Sequence, residues 1–147
     1  MKAVLQRVKH ASVTVDGKLV SSIGQGLLVF LGIGESDESA DLEWMVEKIV
    51  HLRIFEDENE KMNLSVKDTG GSILLVSQFT LYGDAQKGRR PSFSEAAKPE
   101  KAQAFYDACG RRMADHGVSV SMGVFGAMMA IDLLNDGPVT ILIDSKR

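Results

Sequence analysis

At 147 residues and 44% apolar content the chain is long enough for one core and too short for two full-sized ones, so a single domain over residues 1–147 is expected. A net charge of −3 argues against a protein that coats nucleic acid through a basic face. The lone cysteine, Cys109, excludes an internal disulfide, and no CxxC pair or zinc-spaced Cys/His cluster is present, so neither metal nor cofactor is expected.

The opening MKAVLQRVKH carries charge where a signal peptide needs its apolar segment, and the longest apolar stretch, Leu27 to Ile33, falls far short of the ~20 residues of a membrane helix. A soluble, cytoplasmic protein is the expectation. Four β-rich runs come first, Ala3 to Val8, Ser12 to Val15, Lys18 to Ile23 and Leu27 to Ile33, with Asp16-Gly17 as a hairpin signal, and they read as an antiparallel meander. A helix follows from Ser39 to His51, its Leu42, Met45, Val46, Ile49 and Val50 on one face and Trp44 at the edge. Glu56 to Glu60 lacks EF-hand spacing and reads as a solvated loop. A strand from Ser72 to Leu81 leads to a second helix, which starts at Pro99 and runs to Met113 or His116 with Gly117 as a left-handed cap. It buries Ala102, Phe105, Tyr106, Cys109 and Met113. Strands Val118 to Met122, Ala127 to Leu134 and Val139 to Asp144 complete the chain. The fold class is α+β: a mostly antiparallel sheet curled into a barrel or sandwich, with two main helices packed on it.

Much familiar chemistry is missing. His10, His51 and His116 lie in a turn and at two helix ends, no GxSxG elbow surrounds any serine, and no Walker loop is present. Gly24, Gly26, Gly32 and Gly34 bracket a strand and read as strand-end turns. Lys87-Gly88-Arg89-Arg90 is a short basic cluster that a solvated turn explains. Two polar stretches stand out. Ser77-Gln78-Phe79-Thr80 places hydroxyls and an amide where an apolar strand should continue, and Asn135-Asp136-Gly137-Pro138-Val139-Thr140 has turn chemistry.

Together, SQFTLYGD (Ser77 to Asp84) and NDGPVT (Asn135 to Thr140) resemble the paired signature of the D-aminoacyl-tRNA deacylase family. Arg7-Val8, Ala11-Ser12-Val13, Arg90-Pro91-Ser92-Phe93 and Phe125-Gly126-Ala127 extend the resemblance along essentially the whole chain. It implies a homodimeric enzyme that hydrolyses the ester between a D-amino acid and the 3′ end of tRNA. Such an ester is already reactive, so catalysis needs positioning, an oxyanion site and water more than a strong nucleophile. Ser77, Gln78, Phe79 and Thr80 are the catalytic candidates, with the Phe79 and Thr80 amides as oxyanion donors and Gln78 positioning the ribose or supporting the turn. Thr80 is open to three readings: nucleophile, orienting hydroxyl, or scaffold for the backbone donors. A free 2′-hydroxyl on the terminal ribose is expected to help activate water.

By the same resemblance Gly137-Pro138, its peptide cis, forms a steric filter against L-aminoacyl esters. The turn reaches the partner subunit's active site and Arg7 fixes it; glycyl-tRNA should pass the filter. Phe125 and Met129 are candidates for the terminal adenine, and Arg89 and Arg90 for tRNA phosphates. Two alternatives are a Ser/Thr-dependent small esterase using Ser77 or Thr80, and a non-catalytic module that binds tRNA ends.

Overall fold

The computed structural model describes residues 1–147. In chain order its elements are β1 (Lys2–Val15), β2 (Lys18–Ile23), β3 (Gly26–Gly32), α1 (Ser39–His51), β4 (Phe55–Glu56), β5 (Met62–Leu64), α2 (Val66–Thr69), β6 (Ser72–Ser77), a 3-10 turn (Phe79–Tyr82), α3 (Pro99–Asp115), β7 (Ser119–Met122) and β8 (Ala130–Asp144).

Six strands form one mixed sheet in the order β2-β1-β3-β6-β7, with β8 paired to β1. β1 pairs antiparallel with β2, β3 and β8, whereas β3, β6 and β7 run parallel. The parallel half is a consequence of the helices: α1 and α3 lie in the crossovers that return the chain to the same end of the sheet. The sheet nearly closes into a barrel, and the Ser21 hydroxyl, donating to the Met122 carbonyl at 2.9 Å, ties β2 to β7 at the two ends of the strand path.

Several sequence expectations change in detail. The N-terminal strands are not a meander, because β2 and β3 both pair with β1 and not with each other. Ala3 to Val8 and Ser12 to Val15 belong to one 14-residue strand, since β8 pairs along almost its full length and carries it through the polar Lys9-His10 step. The strand expected over Ser72 to Leu81 stops at Ser77. Asn135 to Thr140 does not reverse the chain; it lies inside β8, a single 15-residue strand. A third, short helix, α2, and the β4–β5 hairpin fill the stretch between α1 and β6; there the Asp57 carboxylate accepts the Asn59 and Lys61 amides and closes the acidic turn.

Two apolar layers result. On the helix side Leu5, Leu27, Val29, Leu31, Ile73 and Leu75 pack against Leu42, Met45 and Ile49 of α1 and Tyr106, Cys109 and Met113 of α3. Inside the curl of the sheet Val8, Val13, Leu28, Leu74 and Val76 form the second. Because β3 and β6 are covered on both faces, they read as continuous apolar runs instead of alternating ones. Each fully buried Leu or Ile contributes about 1.5–3 kcal/mol relative to exposure. Burial also raises the Cys109 thiol to about 12, consistent with a core role. Gly117 follows α3 with φ +86°, the left-handed cap expected of it.

Candidate active site

β6 is apolar from Ile73 to Val76 because both faces are buried, and Ser77, half-buried, is where that coverage ends. The parallel ladder with β3 runs one residue further, the Gln78 amide donating to the Leu31 carbonyl at 2.8 Å. The chain then winds into the 3-10 turn, closed by Leu81 N–H to Gln78 C=O (3.3 Å) and Gly83 N–H to Thr80 C=O (2.9 Å). Each amide in such a turn reaches back three residues, so the first two, Phe79 and Thr80, have no acceptor within it. The Gln78 side-chain amide donates to the Thr80 hydroxyl.

The turn is seated on glycines. A Cβ at Gly32 would stand 3.1 Å from the Gln78 carbonyl oxygen and 3.2 Å from Leu81 Cβ, and one at Gly34 would stand 2.8 Å from the Tyr82 hydroxyl. Gly32 and Gly34 are thus close-packing positions beneath the turn as well as strand-end residues. Tyr82 donates to the buried Asp37 carboxylate at 3.3 Å, and Asp37 also accepts the Gly34 amide at 2.6 Å. Burial, then the Asp37 and Asp144 carboxylates, push the Tyr82 phenol well above its ordinary value, so it remains a donor.

Beside this strand end opens a cavity of about 660 Å³, lined by 16 residues of which 12 are hydrophobic. Ser77, Gln78 and Phe79 form one wall, Phe125 and Met129 another, and Pro99 and Ala102 at the start of α3 a third. Phe93 also lines it, edge-on to Phe79 with ring centroids 5.1 Å apart. Tyr106 braces the walls: its hydroxyl donates to the Leu75 carbonyl at 2.7 Å, and its ring lies 6.0 Å from that of Phe125. No lining residue is titratable. The volume suits a small ligand, and the arrangement offers apolar walls, an amide-rich strand end and no side-chain base.

Of the residues singled out from sequence, Ser77, Gln78, Phe79, Phe125 and Met129 meet at this cavity, and Thr80 sits in the turn beside it. Arg89 and Arg90 are exposed on a loop pinned by the Asp84–Ser92 bridge and do not line it. Nor do Arg7, Gly137 and Pro138. They form a second cluster, a bulge in which β8 advances by five residues, Asn135 to Thr140, while β1 advances by two, Gln6 to Val8. The Asn135 amide staples it, donating to the Arg7 carbonyl at 2.9 Å and the Val139 carbonyl at 3.1 Å. Arg7, 6% exposed, lies beneath, donating to the Ile54 carbonyl at 2.8 Å and pairing with Asp136 at 3.3 Å. Gly137 has φ +115°, and a Cβ there would stand 2.7 Å from the Arg7 guanidinium. The Gly137-Pro138 peptide is cis.

Sequence reasoning did not single out Gly32, Gly34, Asp37, Tyr82 or Asn135 as supports. Gly32 and Gly34 read as strand-end turns, and the turn that packs on them could not be read from the chain.

A nearly closed α+β barrel with an uncharged cleft at the end of an inner strand defines a small-ligand site whose lining holds no side-chain triad. The model of the family described as D-Tyr-tRNA(Tyr) deacylase matches residues 4–144. The chain is 56% identical over 147 residues to a D-aminoacyl-tRNA deacylase of Koribacter versatilis, covering 100% of this chain and 99% of the relative. It is 55% identical over the same length to one from Clostridioides difficile, again covering 100% of this chain and 99% of the relative. Among solved structures, one titled c-Myc DNA Unwinding Element Binding Protein superposes with TM-score 0.92 at 45% identity, covering 98% of both chains. A probable eukaryotic D-amino acid tRNA deacylase superposes with TM-score 0.83 at 20% identity, covering 97% of both, a likeness of fold. The chain belongs to the D-Tyr-tRNA(Tyr) deacylase family, a family of hydrolases.

Proposed function

We propose that this protein hydrolyses the ester of D-aminoacyl-tRNA, releasing the free D-amino acid and tRNA. The observation that carries this reading is the cavity: the SQF strand end forms its wall, and none of its lining side chains titrates. An aminoacyl ester held there needs no strong nucleophile. Water attacks the acyl carbon, the carbonyl oxygen gains charge against the Phe79 and Thr80 amides, and the 3′ oxygen leaves with a proton. The ribose 2′-hydroxyl supplies the local assistance that no side chain offers. Thr80 acts by orientation: it lacks a neighbouring base, and its oxygen already accepts from Gln78.

Chiral selection falls to the Gly137-Pro138 bulge. The flanking Asp136 and Val139 carbonyls accept from Arg7 and Asn135, and Asn135 also ties the bulge to the Arg7 carbonyl, which supports a rigid wall, and rigidity is what rejection of an enantiomer requires. Since the bulge does not line its own chain's cavity, it acts on that of a second copy, and the working unit is a homodimer. The exposed Leu134 and Leu142 on β8 suit burial against that copy. Glycyl-tRNA, having no side chain to reject, is hydrolysed too. Phe125 and Met129 hold the terminal adenine, and Arg89 and Arg90 contact phosphate. The protein works as one domain in the cytoplasm, where its substrate is made.

Single-turnover hydrolysis of matched D- and L-tyrosyl-tRNA tests the reading. Loss of the D-ester alone is expected. Equal loss of both removes the filter; no loss of either leaves a module that binds tRNA ends. Activity on small esters without RNA favours the Ser/Thr esterase.

A further inference from the structure

Away from the cleft, folding gathers three side chains that are dispersed in the sequence. Glu47 and His51 stand one turn apart at the end of α1, and His116 caps α3. Glu47 Oε2 lies 3.4 Å from His51 Nε2, and Glu47 Oε1 lies 3.2 Å from His116 Nε2. The two imidazoles meet edge-on with centroids 5.4 Å apart, and one ligand atom from each of the three residues falls within 4.8 Å of the other two. From this convergence we propose that Glu47, His51 and His116 bind a divalent first-row transition ion, zinc by preference.

Donor chemistry supports zinc, since two neutral imidazoles and one carboxylate are a common three-ligand set for it. Bond lengths of about 2.0–2.2 Å in a tetrahedron place neighbouring ligand atoms roughly 3.3 Å apart. Each imidazole already stands at about that distance from a Glu47 oxygen, His51 from Oε2 and His116 from Oε1, and a small rotation of the carboxylate brings one oxygen toward both. Electrostatics point the same way. Two helix C-termini converge here, each with the partial negative charge of its free carbonyls, and Glu47 adds a full one. The Asp68 carboxylate also lies within electrostatic reach of His51. Of the nearby cations, Arg112 on α3 is paired with Glu43 one turn back along α1, Lys48 lies over the Trp44 ring, and Arg53 donates to Asn63.

The fourth position is left to solvent, because Glu47 and His51 are both exposed. The ion's role is structural. The cleft lies at the opposite end of α3, at Pro99 and Ala102, and a helix of 17 residues separates the two by about 25 Å. An ion here would clip the end of α1 to the end of α3 without touching the ester.

The test is calorimetric titration of untagged, chelator-treated protein with zinc, alongside His51→Gln and His116→Gln. His51 is exposed and His116 half-buried at the end of α3, outside both apolar layers, so the variants should fold, which circular dichroism verifies. One saturable ion per chain with a roughly micromolar Kd is expected, weakened at least about tenfold in each variant. At a hundredfold excess over Kd, zinc should raise Tm by about 5–10 °C in the parent and not in the variants. Zinc should leave D-tyrosyl-tRNA hydrolysis unchanged. Absence of saturable binding, or binding that His116→Gln leaves intact, overturns the site and reduces the cluster to Glu–His ion pairs.

Discussion

Two segments interrupt strands with polar residues, and they do so in opposite ways. After β6, Ser77 to Tyr82 ends the strand: the ladder stops, and the chain winds into a 3-10 turn at the edge of an apolar cavity, its first two amides without an acceptor in the turn. Within β8, Asn135 to Val139 leaves the strand intact. The ladder resumes on both sides, and the extra residues are pushed out with Gly137 and Pro138 exposed. The first segment is seated on Gly32 at the end of β3 and Gly34 just beyond it; the second is held by Arg7 beneath and by its own Asn135. One makes a concave surface and the other a convex one on the same chain, and the two do not meet within it. In the proposed homodimer a symmetric pair would bring the two together.

Breaking the seat of the turn should have the largest effect. Gly32→Val forces branched methyls toward the Gln78 carbonyl and Leu81, moves the amides, and should slow single-turnover hydrolysis of D-tyrosyl-tRNA by about 10²–10³-fold. An unchanged rate in the folded variant removes the Phe79 and Thr80 amides from the mechanism. Next comes the bulge. Gly137→Ala sets a methyl against the Arg7 guanidinium at a positive φ, and should lower the ratio of D- to L-ester rates by at least about tenfold. A retained ratio would detach the bulge from selection.

Smaller effects separate binding from chemistry. Arg89→Ala and Arg90→Ala should each weaken tRNA binding a few-fold and lower the salt slope by about one, with the rate at saturation preserved. Thr80→Ala should cost less than about tenfold if the hydroxyl only orients; abolition of activity would restore the nucleophile reading.

The last effect concerns the anchoring of β8 rather than its bulge. Asp41, in α1, accepts from Ser145 and Lys146 just beyond β8. Burial raises its pKa, but the Glu38 amide, Lys146 and Ser145 outweigh that and hold it well below the usual carboxylate range. The unfolded value is about 3.9, so this stabilisation is complete above about pH 5 and lost as pH falls toward the folded value. Urea midpoints should decline below about pH 4, and Asp41→Asn should flatten the decline.

Local patterns were legible wherever the physics is local. The apolar spacing of α1 and its Ser39 to His51 span, Pro99 opening α3, and Gly117 closing it follow from helix periodicity and capping, and the structure reproduces them. The joins were not legible. Lys9-His10 and Asn135-Val139 look like breaks, yet β1 and β8 run through them because each supplies the other's ladder over a long register. Ser77 to Leu81 looks like strand, yet it turns where the β7 ladder has ended at Leu75 and the cavity opens.

The sequence alone determined the fold class, the two main helices and the two polar segments, because period, composition and turn chemistry act over a few residues. Tertiary structure decided that SQF and Phe125 share one cavity while Gly137-Pro138 stands elsewhere, that Gly32 and Gly34 support a turn more than 40 residues on, and that Glu47, His51 and His116 converge. Those arrangements depend on which strands pair and which helices cross. That is settled by burial summed over the whole chain.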